Sequence, residues 1–110
     1  MADQDRKRDE RIPSDLVRQD ESFADLVQNF VTGLDGRTAD MEKALMNGDF
    51  QMLKRLAHQL KGSGGGYGYP ALTHLAAEVE LQALFETLPE CQRALDELKD
   101  LISRVVVRLD

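Results

Sequence analysis

The sequence lacks the features of a disulfide-stabilised, membrane-spanning or nucleic-acid-binding protein. Its single cysteine, Cys91, cannot form a disulfide within the chain, which favours a reducing, cytoplasmic setting. No apolar run approaches the roughly 18 residues that a membrane-spanning helix needs. The 14 basic residues are outnumbered by 20 acidic ones, giving a net charge of −6. This balance argues against nucleic acid as a partner, because phosphate backbones select basic surfaces.

The N-terminal segment also lacks an apolar stretch. Residues 1–11 are mostly charged, so we expect no secretory signal there and predict a disordered charged tail. The rest of the chain, residues 12–110, has the length of one domain. Hydrophobic residues make up 42% of the sequence, which is enough for one compact core.

Apolar residues recur at helical spacing from residue 12 onward, without the alternation that is typical of strands. After a short element at Ser14, the pattern predicts helices over residues 22–33, 37–47, 50–67, 70–86 and from 87 to the C-terminus. Asp35 and Gly36 are expected to separate the first two, and Thr87 with Glu90 to form a capping box before the last. The short connections favour antiparallel neighbours. The predicted fold is therefore an all-α, up-and-down antiparallel four-helix bundle with a short N-terminal extension.

The core of this bundle is predicted from positions that share the inward face of each helix. The first helix contributes Phe23, Leu26, Val27, Phe30 and Leu34, and the second contributes Met41, Ala44 and Leu45. The central pair contributes Leu53, Ala57, Leu60, Gly64, Leu72, Ala76 and Val79. The last helix contributes Leu95, Leu98, Leu101, Ile102, Val105 and Leu109.

One histidine falls on the solvent side of this pattern. At about 100° per residue, His58 lies roughly 140° from the core direction that is set by Leu53. Side chains three and four residues away are its neighbours on the helix surface: Lys54, Arg55, Lys61 and Gly62. An acidic protein thus places three cations around one exposed imidazole.

Glycine dominates the residues that follow Lys61. Five of the next seven positions are glycine: 62, 64, 65, 66 and 68. Each interior glycine costs a helix on the order of 1 kcal/mol relative to alanine. Composition alone leaves two interpretations open. The chain forms a flexible loop after Lys61, or it remains helical and its missing side chains let another protein's backbone approach His58 closely.

A family resemblance favours the helical interpretation. The segment His58-Gln59-Leu60-Lys61-Gly62-Ser63, with Gly68 ten residues after the histidine, resembles the signature of histidine-containing phosphotransfer (HPt) domains. The resemblance extends over about residues 20–108, through Phe30, the Gly48-Asp49 turn, Leu72, Ala76, Val79 and Glu80. It implies a four-helix bundle whose helix continues through the glycines and whose exposed histidine is phosphorylated on an imidazole nitrogen.

The resemblance also implies roles for individual residues. His58 corresponds to the phosphoacceptor and Lys61 to the lysine that neutralises phosphate charge. Gly62 and Gly65 would clear space for a docking receiver domain. Glu80 stands where the family often has Glu or Gln beside the histidine. The helical rise supports this placement, because His58 and Glu80 both lie about ten residues from the turn at residues 67–70.

Some of these assignments keep an alternative. Glu80 either orients His58 or faces solvent, and Lys54 and Arg55 are either electrostatic support for the phosphate or ordinary solvated charges. Leu84 offers no cation where some relatives carry a basic residue. Metal binding by His58 and His74 is not expected, because no HxxxH or CxxC motif supplies further ligands.

The implied function is that of a phosphorelay intermediate in two-component signalling. The domain would accept a phosphoryl group on His58 from receiver-domain aspartates and return it to them. Its partners would be a response-regulator receiver domain and a sensor histidine kinase, with Mg²⁺ on the receiver and no cofactor on this chain. The chain would be a carrier without kinase or ATPase activity of its own. The alternatives are a helical module that docks a receiver or kinase without phosphotransfer, and a purely structural bundle.

Overall fold

A computed structural model describes residues 10–109 of the protein, and helices make up most of this range. The helices are α1 (Asp15–Gln19), a 3₁₀ turn (Glu21–Phe23), α2 (Ala24–Thr32), α3 (Leu34–Met46), α4 (Phe50–Gly66), α5 (Pro70–Phe85) and α6 (Leu88–Ile102). Within the described residues, β pairing is limited to an isolated bridge between Ile12 and Val105. The all-α prediction is confirmed. Most of the predicted disordered tail, residues 1–9, lies outside the described range.

Helices α3 to α6 form the four-helix bundle. α4 packs between α3 and α5, and α6 closes the bundle against α5 and α3. The connections, residues 47–49, 67–69 and 86–87, are short enough to force consecutive helices to run antiparallel. Fully buried side chains from all four helices meet between them: Met41, Leu53, Leu60, Leu72, Val79, Leu95 and Leu98. The up-and-down arrangement that the sequence predicted is therefore present.

The boundary between α2 and α3 differs from its prediction. Gly33 separates the two helices, and α3 begins at Leu34 and continues through Asp35 and Gly36. Leu34 and Thr38 are buried in this first part of α3. Their burial outweighs the low helix propensity of one exposed glycine, so the predicted break at Asp35–Gly36 is wrong.

Two predicted core residues of the first helix are also misplaced. Phe23 is 36% exposed and Leu26 is 49% exposed. α2 starts only at Ala24, and the residues it buries are Val27 and Phe30. The Phe30 ring stacks on Tyr67 with centroids 4.4 Å apart, which ties this helix to the end of α4.

The C-terminal region corrects the prediction of a helix that reaches the end of the chain. α6 ends at Ile102, and the following residues pair with the N-terminal segment. The Ile12 N–H donates to the carbonyl of Arg104, and the Val106 N–H donates to the carbonyl of Ile12. Leu109, predicted as core, is 63% exposed. This pairing joins residues that are far apart in sequence, so helical periodicity could not reveal it.

The predicted capping box at the start of α6 does not form. Thr87 occupies the N-cap position, but its side chain makes no capping hydrogen bond. The Glu90 carboxylate instead pairs with Arg93 one turn later, at 3.0 Å.

α4 remains helical through its glycines and ends at Gly66, which confirms the helical interpretation. Gly64 packs directly against α5, where a Cβ atom would lie 2.9 Å from the Cβ of Leu72. Gly68, in the turn, has a φ of +92°, and its Cβ would come within 2.8 Å of the Asp15 backbone nitrogen. Gly64 thus allows α4 and α5 to pack closely, and Gly68 allows the turn between them to contact the start of α1.

Candidate functional site

α4 presents His58 to solvent at the middle of the hairpin with α5. The Asp49 side chain caps the start of α4 by accepting a hydrogen bond from the Met52 N–H at 3.0 Å. Leu53, Ala57 and Leu60 are fully buried on the inner face of the helix. The side chain of His58 points away from them and is 66% exposed. The imidazole is therefore accessible to another protein, as predicted.

Glu80 of α5 lies directly beside this imidazole. Its Oε2 atom is 2.8 Å from His58 Nδ1, and its Oε1 atom is 2.7 Å from Lys61 Nζ. One carboxylate thus joins two residues of α4. Its side chain is only 22% exposed, so the solvent-facing alternative for Glu80 is wrong.

The carboxylate determines which nitrogen of His58 is available. An ionised carboxylate only accepts hydrogen bonds, so Nδ1 carries the proton that it donates to Glu80. In the neutral ring the lone pair is then on Nε2. The hydrogen bond from Lys61, aided by that from His58, holds the pKa of Glu80 below its usual range despite an opposing desolvation effect. Glu80 therefore stays ionised near neutral pH and fixes this tautomer.

Lys61 supplies positive charge next to the histidine. Lys61 lies one helical turn after His58 on α4, and its side chain is 34% exposed. Its ammonium group forms an ion pair with the carboxylate of Glu80. The site thus combines a nitrogen nucleophile, an anion that orients it and a cation within reach of an incoming anionic group. This combination suits nucleophilic attack on phosphorus, where negative charge collects on the phosphoryl oxygens.

Lys54 and Arg55 lie one turn before His58 on α4. Both side chains are exposed, and neither forms an ion pair or hydrogen bond with another residue of the range 10–109. They contribute positive charge to the surface near His58 but are not joined to the network of His58, Glu80 and Lys61.

The two glycines that were predicted to clear a docking surface differ in their surroundings. Gly62 is exposed, and a Cβ atom placed there would meet nothing within 4 Å. Gly65 is exposed as well, but its Cβ would lie 3.2 Å from the Thr73 hydroxyl oxygen of α5. Gly62 thus leaves open space beside His58, whereas Gly65 leaves space for a side chain of this same chain.

Sequence reasoning missed Thr73. Its hydroxyl donates a 2.8 Å hydrogen bond to the main-chain carbonyl oxygen of Lys61. A threonine 12 residues after Lys61 belongs to no motif, so only the packing of α4 on α5 reveals the contact.

The other candidate chemistries find no support in the described part of the chain. No group of three or more His, Cys, Asp or Glu side chains there could hold a metal ion. His74 is exposed on α5, away from the carboxylate of Glu80. Cys91 is fully buried, and burial raises the pKa of its thiol. Among residues 10–109, no helix has the length and apolar character to cross a membrane.

Comparison with known families identifies the family of the chain. The model of the Hpt domain matches residues 25–107, which is well over half of the chain. The match includes α3 to α6 and therefore every residue of the network around His58. No curated protein and no solved structure matched the chain.

Proposed function

Because the chain belongs to the Hpt domain family, we propose that it carries a phosphoryl group on His58 as an intermediate of a two-component phosphorelay. The observation that supports the proposal most strongly is the contact of Glu80 with His58 Nδ1 at 2.8 Å. This contact leaves Nε2 as the nucleophile on an imidazole that is mostly exposed. A structural bundle has no use for such an arrangement.

In the proposed transfer, a receiver domain presents a phosphorylated aspartate. The Nε2 lone pair of His58 attacks the phosphorus, a P–N bond forms, and the P–O bond to the aspartate breaks to release its carboxylate. The ring still holds its proton on Nδ1 and so becomes positively charged. The carboxylate of Glu80, already in contact with Nδ1, stabilises this charge. The same stabilisation acts when a receiver takes the phosphoryl group back.

Lys61 offsets the charge on the phosphoryl oxygens during transfer. Its ammonium group has three donor hydrogens, so it can bond a phosphoryl oxygen while it keeps its contact with Glu80. Lys54 and Arg55 add weaker, solvent-screened attraction for the incoming anion. Gly62 leaves room for the loops of the receiver that surround its aspartate.

The partners complete the chemistry in this proposal. The receiver domain contributes the phosphoryl-bearing aspartate and a Mg²⁺ ion, and a sensor histidine kinase stands upstream. The chain itself acts in the cytoplasm as a carrier, without kinase or ATPase activity and without a cofactor.

Transfer from phosphorylated receiver domains of the same genome tests the proposal. Radiolabelled receivers are incubated with the wild-type chain and with His58→Gln and His74→Gln variants. We expect acid-labile label on the wild type and on the His74 variant, and none on the His58 variant. A receiver that binds the chain without labelling it would instead support a docking module. Label that persists on His58→Gln would place the acceptor elsewhere.

A further inference from the structure

Helix α5 contacts Lys61 both at its main chain and at the end of its side chain. The ammonium nitrogen lies 2.7 Å from Glu80 Oε1, and the main-chain carbonyl oxygen accepts a hydrogen bond from Thr73 Oγ1 at 2.8 Å. Glu80 and Thr73 are seven residues apart, or two turns on the same face of α5. The lysine is therefore fixed in position along α4 as well as in the direction of its side chain.

The turn that follows Lys61 needs such support. Residues 62, 64, 65 and 66 of α4 are glycine, the poorest helix former after proline. In an α-helix the Lys61 carbonyl accepts from the N–H of residue 65, which is itself a glycine. The last turn of a helix also opens more readily than its centre. A second donor at this carbonyl, supplied from the neighbouring helix, counteracts that opening.

The glycines and the threonine are complementary in shape. A Cβ atom on either Gly64 or Gly65 would lie 3.2 Å from the Thr73 hydroxyl oxygen. At that distance the hydroxyl would have to shift by a few tenths of an ångström. The two glycines therefore leave the hydroxyl uncrowded where it donates to the Lys61 carbonyl. The contact with Thr73 thus gives a reason for a glycine at the exposed position 65, in addition to the docking of a partner.

We propose that Thr73 is a positioning residue for phosphoryl transfer. Its hydroxyl keeps the glycine-rich turn of α4 helical and in register with α5, which holds Lys61 one turn from His58. The inference rests on the proposed function, since the residue that it positions is the lysine that offsets phosphate charge.

Phosphoramidate allows the test to be made without a partner protein. His58 Nε2 attacks its phosphorus, the new P–N bond forms, and the P–N bond of the donor breaks to release ammonia after protonation by water. Thr73→Val removes the hydroxyl at nearly constant volume, and Thr73→Ser retains it. We expect Thr73→Val to slow phosphorylation of His58 by roughly fivefold, the effect of losing one hydrogen bond. Thr73→Ser should react at close to the wild-type rate.

A double-mutant cycle separates positioning from a general loss of structure. In a Lys61→Ala background, Thr73→Val should slow the reaction no further, because the residue through which Thr73 acts is gone. An equal slowing in both backgrounds would overturn the proposal.

Amide hydrogen exchange gives a readout that is independent of phosphorylation. Thr73→Val should accelerate exchange across residues 62–66 by roughly tenfold while α6 keeps its protection. Unchanged exchange there, or faster exchange with an unchanged phosphorylation rate, contradicts the positioning role. A wild-type chain that accepts no phosphoryl group contradicts the proposed function instead. Exchange at residues 62–66 then decides whether Thr73 holds the turn.

Discussion

Lys61 Nζ lies 2.7 Å from Glu80 Oε1, so the lysine one turn after His58 is already paired before any phosphoryl group arrives. Glu80 also holds His58 Nδ1, which makes this one carboxylate the centre of the site. An incoming phosphoryl group must therefore share Lys61 with Glu80. The balance between these two anions is expected to influence both the rate of transfer and the stability of the phosphorylated state.

Substitution of Glu80 should separate its two contacts. Glu80→Gln keeps an oxygen that accepts from His58 Nδ1 but ends the ion pair with Lys61, so the phosphoryl group should still attach to Nε2. Glu80→Ala removes both contacts, and we expect a mixture of Nδ1 and Nε2 products because the tautomer is no longer fixed. NMR of the phosphorylated proteins distinguishes the two isomers. Exclusive attachment to Nε2 in Glu80→Ala would show that Glu80 does not select the nitrogen.

The lowered pKa of Glu80 predicts a pH dependence of stability. A carboxylate whose pKa is lower in the folded state contributes stability above its unfolded pKa, and the contribution is lost as pH falls through the folded value. At neutral pH, the free energy of unfolding of the wild type should exceed that of Glu80→Gln by up to about 1 kcal/mol, as for other partly exposed ion pairs. The gap should close in acid, below the usual glutamate pKa of about 4.3. Urea unfolding of both proteins from neutral to acid pH measures this difference in stability. A difference that grows in acid would contradict a lowered pKa of Glu80 in the folded state.

Gly62 is expected to serve docking rather than folding. Gly62→Gln should stabilise α4 by several tenths of a kcal/mol, since glutamine forms helices better than glycine and a Cβ atom at this position meets nothing within 4 Å. Its side chain should nevertheless weaken receiver binding. Gly36→Gln is the matched control, because Gly36 is also helical and also has open space around it, but on α3. Thermal melts and receiver titrations compare the pair. Equal receiver affinity for both variants would remove Gly62 from the docking surface.

Two alanine substitutions on α4 should have opposite effects on stability. Gly62→Ala should raise the free energy of unfolding by up to about 1 kcal/mol. Gly64→Ala should lower it by about 1–3 kcal/mol, because the new Cβ would lie 2.9 Å from the Cβ of Leu72 and force α4 and α5 apart. Denaturant unfolding of both proteins checks the signs. A stabilising Gly64→Ala would mean that this glycine is not needed for helix packing.

Local periodicity was sufficient to predict the outward direction of His58, and helical rise supported the placement of Glu80 beside it. The apolar residues of α4 set the outward direction of His58, and helical rise placed Glu80 at the same level across the short turn. The helical state of residues 62–66 could not be obtained this way, because four glycines in a row of five favour a loop by propensity. Gly64 and Gly65 pack against Leu72 and Thr73 of another helix, and only the family resemblance predicted that α4 continues through these glycines.

The errors occurred where contacts distant in sequence decide the structure. α6 ends at Ile102 because the chain beyond it pairs with Ile12, a partner that no local pattern identifies. Gly33 rather than Gly36 interrupts the first helices, because burial of Leu34 extends α3 toward the N-terminus. Thr73 carries no sequence signal, since its role depends on the space that two glycines leave on another helix.

The attachment site of the phosphoryl group tests the proposed carrier role most directly. The intact chain, labelled with ¹⁵N in its two histidines, is treated with phosphoramidate and followed by NMR as the P–N bond forms. His74 is the internal control, because it is exposed on the same chain but lacks the contacts with Glu80 and Lys61. We predict one phosphoryl group on Nε2 of His58, formed before any reaction at His74. Reaction at His74 first would contradict the assignment of His58 as the phosphoacceptor, and attachment to Nδ1 of His58 would contradict the selection of Nε2 by Glu80.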